Sequence, residues 1–202
     1  MLIASAILLG FAVMAGWLVW FDMPVMRAVA LTDASPVWLV TTAQFVTSLG
    51  DPDPRSGFVV LICILFIARH CWRSAAIYFV TVAISIAGHT LAKIAYARPR
   101  PQLSPWFDHA SDLSYPSGHA GGAMVILLGA ALLVRERWLR WPALGLALAI
   151  AATRPMLGVH WPSDVIGGVM WGAGFALAGA GMALKLGLPR VRVLATDAET
   201  SA

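Results

Sequence analysis

Two histidines, an aspartate and three separated cations stand out in a chain otherwise built of aliphatic runs: His119, His160, Asp164, Lys93, Arg100 and Arg154. His160 precedes Asp164 by four residues. At that spacing the carboxylate can accept a hydrogen bond from one ring nitrogen, fix the tautomer and leave the other nitrogen as a nucleophile. His119 follows Ser117 and Gly118 in the stretch YPSGHAGG, directly ahead of the run AMVILLGAALLV. A helix beginning near Ser117 would take that serine as its N-cap, and Gly118 would let backbone N–H groups approach an anion closely. The inventory holds one histidine to attack, one to donate a proton, an aspartate to orient and three cations to neutralise an oxyanion. Phosphoryl transfer needs that set, because its transition state spreads negative charge over the equatorial oxygens. The set calls for no metal and no other cofactor: a zinc site wants clustered His, Cys or carboxylate ligands, and the crowded cations would repel an ion.

Each residue also has a plainer reading. Lys93 at a span end could snorkel to the interface, Arg98 and Arg100 could be loop charges, and a single histidine near a helix end is more often structural. Their convergence depends on the elements that carry them. With 59% hydrophobic residues, 12% charged residues and a mean hydropathy of +0.78, the chain is too apolar for one soluble core and reads as an integral membrane protein. The fold class expected is all-α, with six transmembrane helices in one bundle over roughly 2–21, 56–68, 75–95, 120–134, 141–153 and 165–188. The first stretch lacks a basic leader and a small-x-small cleavage site and reads as a retained span. Two spans separate loop three from loop five, so both loops lie on one membrane face whichever way the bundle inserts. That face gathers Lys93, Arg98, Arg100, Ser117 and His119 with Arg154, His160 and Asp164.

Eight Lys and Arg residues fall on the side of the loops after spans two and four and of the tail, against six on the other. This places both termini in the cytoplasm and the site on the outer face. Residues 1–188 form one membrane-embedded domain, followed by a short polar cytoplasmic tail, 189–202, polar enough to be disordered. The long connection over 22–55 contains PVWLVTTAQFVTSL, a candidate interfacial helix. Cys63 and Cys71 suit packing, with neither a disulfide framework nor a metal site suggested. The net charge of +4 is scattered between apolar runs, so no nucleic-acid surface is expected.

Three spaced signatures carry a resemblance. Lys93-IAYARP-Arg100-Pro101 fits K-x6-R-P, Pro116-Ser117-Gly118-His119 fits P-S-G-H, and Arg154-PMLGV-His160-WPS-Asp164 fits the R-x5-H-x3-D part of the third, with Thr153 where a serine is usual. The chain resembles the type-2 phosphatidic acid phosphatase (PAP2) superfamily, and over its whole length the six-span bacterial lipid phosphatases. The resemblance implies that His160 attacks phosphorus to give a phosphohistidine and that Asp164 orients it. His119 would protonate the leaving oxygen, while Lys93, Arg100, Ser117, the Gly118 N–H and Arg154 hold the phosphate. It implies a bacterial inner-membrane enzyme acting on a membrane lipid phosphate. Undecaprenyl pyrophosphate is favoured for an outward site, with phosphatidylglycerol phosphate, phosphatidic acid and lipid A phosphates, or phosphotransfer to another acceptor, as alternatives. Arg98, outside the motif, is left as a headgroup contact, and His89 reads as an interhelical hydrogen bond. Trp106 and Phe107 suit either a lip touching lipid or belt aromatics. An anion transporter is the reading from another class, but it leaves two histidines and an aspartate on one face without a purpose.

Overall fold

The computed structural model describes residues 1–103, 105–110 and 113–194. Its elements there are helices, in the order α1 (Leu2–Met14), α2 (Val19–Val29), α3 (Val37–Ser48), α4 (Pro52–Ala68), α5 (Trp72–Tyr96), α6 (Gly118–Leu133), α7 (Arg140–Met156) and α8 (Pro162–Lys185). α4 and α8 both start on a proline. The missing N–H costs nothing there, and the fixed φ suits the first turn. α6 carries a π-turn over Met124–Leu128, a local widening that the even aliphatic sequence does not announce.

α5, with 25 residues, and α8, with 24, are long and apolar enough to cross a membrane. At a rise of about 1.5 Å per residue each spans more than the roughly 30 Å of a hydrocarbon core. The expected first span is not one straight helix: α1 and α2 meet at 93°, and together they pass as a third, broken span. The break follows from Gly16, whose φ of +73° lies in the left-handed region that a glycine enters without steric cost. The turn carries Asp22, in the first turn of α2, into the protein, where it is 1% exposed. The segment PVWLVTTAQFVTSL does form a helix, α3.

α8 is the hub, packing on α1, α5 and α6. Its glycines allow the approach. A Cβ on Gly168 would sit 2.5 Å from the Ser117 carbonyl oxygen, and Gly172 lies as tightly on the carbonyl of Gly121. The Gly168-x3-Gly172 spacing is thus a helix-packing device. Cys63 and Cys71 are unpaired and pack against an apolar cluster built on Phe66, Tyr78 and Val125. The first part of the tail departs from expectation. Val191 is buried and bridged to the chain after α6, donating its N–H to Leu133 while its carbonyl accepts from Arg135. Glu136 accepts the N–H groups of Val193 and Leu194. A buried valine and paired backbone hold 189–194 in place; residues 195–202 of the tail lie outside the described residues.

Candidate active site

His160 lies in the turn between α7 and α8, 2% exposed. Arg100 approaches its Nε2 at 3.1 Å and also donates to the Val159 carbonyl at 2.5 Å. A guanidinium can only donate. Nε2 must therefore be the accepting nitrogen, and the ring proton sits on Nδ1. That nitrogen faces Asp164, but at 3.5 Å from Oδ2, with the Ser114 hydroxyl at 3.3 Å. Ser114 donates in turn to the same carboxylate oxygen of Asp164. The orienting contact expected between His160 and Asp164 is thus shared with a serine. Burial, and after it the nearby Arg100, hold the imidazole well below its ordinary pKa. A neutral ring with a lone pair on Nε2 is the form a nucleophile requires.

Asp164, the third residue of α8, also accepts the Trp161 N–H at 2.9 Å and so caps its own helix. Its Oδ1 takes a 2.5 Å bond from Arg98. The other arm of Arg98 reaches Asp22 at 2.6 Å, and Asp22 accepts both the N–H and the hydroxyl of Ser163. Arg98 therefore faces away from any headgroup, which corrects the reading of it as a lipid contact. It ties α2 to Asp164 through two buried ion pairs and lies over the Trp161 ring.

His119 opens α6 and is bonded through Nε2 to Asp51 at 3.0 Å. Three residues of the GDPDP run that supplies Asp51 have a purpose here. Gly50 makes room, since a Cβ there would lie 2.6 Å from the His119 ring, and Pro52 starts α4. Burial and the charge of Asp108 push the Asp51 carboxyl above its ordinary pKa. Asp51→Asn removes the carboxylate that favours protonated His119. We expect turnover of a phosphomonoester to fall about tenfold, with the alkaline limb of the kcat profile moving to lower pH; a profile series checks both.

Arg154, at the end of α7 and 1% exposed, is gripped by Thr47 and Asp108, each at 2.5 Å, while its Nε is buried without a partner. Thr153 before it bonds back to the Ile150 carbonyl in its own helix, at 2.7 Å. Lys93 donates to the Leu113 carbonyl at 2.5 Å. Ser117 is the N-cap residue of α6, but its hydroxyl makes no capping bond and is buried without a partner. Phe107 packs in a cluster around Leu157 and Val159, whereas Trp106 is 40% exposed and donates to the Pro101 carbonyl.

Lys93, Arg100, Gly118, His119, Arg154 and His160 thus line one cavity of ≈ 500 Å³. Ser117 and Asp164 stand directly behind it, so every residue expected at the site is gathered there. Six partners were not foreseen: Asp22, Thr47, Asp51, Arg98 as an ion-pair residue, Asp108 and Ser114. An acid set among aliphatics, as Asp22 is in LVWFDMPVM, is the one sequence signal that points to a buried pair.

Known proteins are similar to this chain in sequence and in fold. The PAP2 superfamily model matches residues 74–187. A lipid A 1-phosphatase of Rhizobium johnstonii is 31% identical over 162 residues, covering 75% of this chain and 64% of that protein. Undecaprenyl-diphosphatase BcrC of Bacillus subtilis is 34% identical over 84 residues, 40% of this chain and 42% of its own length. This chain therefore spans between about two fifths and two thirds of those relatives. Among solved structures, a PAP2-type phosphatidylglycerolphosphate phosphatase from Bacillus subtilis superposes with a TM-score of 0.82 at 24% identity, covering 92% of this chain and 95% of that one. At that identity the superposition speaks for the fold. With the family model covering more than half of the sequence, the chain belongs to the PAP2 superfamily.

Proposed function

We propose that the protein is a membrane lipid phosphatase that hydrolyses a phosphomonoester or pyrophosphate through a phosphohistidine on His160. The observation that carries the reading is the pairing of a neutral, buried His160 with His119 across a cavity ringed by Lys93, Arg100 and Arg154. In the first step Nε2 attacks phosphorus while the bond to the leaving oxygen breaks, and His119 gives that oxygen its proton. Arg100, already against Nε2, moves its N–H groups to the phosphoryl oxygens as the lone pair is used. In the second step water attacks phosphorus while the N–P bond breaks, His119 takes the water proton, phosphate is released and free His160 is restored. Ser117, with an unpartnered hydroxyl, and the Gly118 N–H complete the oxygen contacts.

The cavity meets, at Pro52 and Arg55, an apolar groove of ≈ 470 Å³ between α4 and α5, lined by Val59, Phe79, Val82 and Ala83. That juxtaposition suits a phosphate on an aliphatic chain entering sideways from the bilayer. We place the chain in the bacterial inner membrane, crossing it six times with α3 at the interface, both termini cytoplasmic and the cavity on the outer face. α4 and α7, with 17 residues each, and α6 extend through their flanks to complete the crossing. Undecaprenyl pyrophosphate is the favoured substrate. The names of its relatives support that choice together with lipid A and phosphatidylglycerol phosphates. A phosphate-release panel over these lipids and phosphatidic acid in one detergent tests the reading, and release from none of them overturns it. Release is expected to persist in EDTA, because two histidines and three cations supply the chemistry; loss of activity in EDTA would contradict the metal-free mechanism.

A further inference from the structure

Arg55, in the first turn of α4, belongs to none of the three signatures, yet it borders three spaces at once. It lines the catalytic cavity, the apolar groove between α4 and α5, and a third, smaller chamber of ≈ 190 Å³. The chamber adjoins the cavity, with Thr90, Lys93 and Gly118 as common walls, and is lined further by His89, Ser85 and Trp171. Its lining is rich in donors, an unusual composition beside a lipid-facing groove.

Two buried nitrogens bordering it lack partners. Arg55 gives one Nη1 bond to the Gly118 carbonyl, at 3.0 Å, and its Nε is buried with no partner. His89 is 8% exposed, and its Nε2, in the same chamber, is also buried without a partner. Buried polar groups are almost always satisfied, so two in one small space point to a polar ligand that completes them. The position of the guanidinium is also built in. Gly122 has no side chain where the Arg55 head lies, and any Cβ there would collide with it.

A lipid monophosphate needs one oxyanion site. A lipid diphosphate places a second phosphate between the one under attack and the aliphatic chain, and the path from cavity to groove passes Arg55. We propose that Arg55 and the chamber beside it form a second phosphate subsite, which holds the lipid-proximal phosphate and selects diphosphates over monophosphates. The proposal rests on the lipid phosphatase reading above. In the reaction the N–P bond forms at His160 and the bond from the terminal phosphorus to the bridging oxygen breaks. The bridging oxygen departs on the lipid monophosphate, which Arg55 then holds as the leaving group.

The test compares undecaprenyl diphosphate with undecaprenyl monophosphate in the same detergent. Arg55→Gln should lower kcat/KM on the diphosphate about 10- to 100-fold more than on the monophosphate, the range expected for losing charge-assisted hydrogen bonds to one phosphate. Arg55→Lys should restore part of the preference. Equal losses on both substrates by a variant that still elutes as a single species, or no loss on either, would overturn the subsite. Should Arg55→Gln lose its defined elution, the ratio measured for Arg55→Lys decides: a shift against the diphosphate upholds the proposal, and an unchanged ratio overturns it. Unaltered protein that acts on the monophosphate alone removes the subsite and leaves the phosphatase reading standing. Unaltered protein that acts on no lipid phosphate removes both.

Discussion

His160→Ala is expected to slow phosphate release from a lipid phosphate by about 10⁴-fold or more, the scale seen when a covalent nucleophile is deleted. The loss should appear in kcat, with substrate binding largely kept, because Lys93, Arg100 and Arg154 line the cavity independently of the imidazole. Stability should change little by comparison. The ring makes side-chain contacts at hydrogen-bond distance with Ser114 and Arg100, and Ser114 retains Asp164 as its acceptor in the variant. Steady-state rates and a substrate-binding measurement on purified protein separate the two effects. Near-normal turnover would reassign the nucleophile.

The second large effect lies behind the site. Arg98→Ala leaves Asp22 and Asp164, 1% and 0% exposed, without the cation that both of them face. Removing one partner of a buried ion pair costs about 3–5 kcal/mol, because the remaining charge is stranded. Arg98→Ala should therefore lower the thermal midpoint in detergent markedly and take activity with it, since Asp164 and Ser114 lose their anchor. Asp22→Asn, which keeps acceptors for the Ser163 N–H and hydroxyl, should be milder on both counts. Unchanged stability in Arg98→Ala would show that the ion pairs contribute nothing to the folded state.

The residues that line the cavity were legible in the sequence because their grouping is written in local spacing. His160 and Asp164 sit four residues apart across a helix start, and Pro162 marks that start. The meeting of the segments before α6 and before α8 at one cavity needed only the count of helices between them. The supporting residues were not legible, for a physical reason. Asp22 meets Ser163 across 141 positions and Asp51 meets His119 across 68, so each pairing is made by tertiary packing alone. A lone aspartate ahead of a helix reads equally well as a cap. The bend at Gly16 was hidden as well, since hydropathy registers an apolar run and is blind to a single left-handed residue inside it. The 22–55 connection illustrates the consequence. It looks like a spacer with a surface helix, yet it supplies Asp22 to hold Arg98, Thr47 to hold Arg154 and Asp51 to hold His119. The order of residues 189–194 was hidden in the same way, because one buried valine outweighs a polar composition.

Direct capture of the intermediate tests the central claim. A lipid phosphate labelled on its terminal phosphorus would be mixed with the protein, quenched in alkali within one turnover, and the label mapped to a peptide. A phosphoramidate survives base and is lost in acid, which separates it from a phosphoserine or an acyl phosphate. The account predicts base-stable, acid-labile label on the peptide containing His160, absent from His160→Ala and accumulating where loss of His119 slows the water step. Label on Ser117, on an aspartate, or on His119 in place of His160 would contradict it.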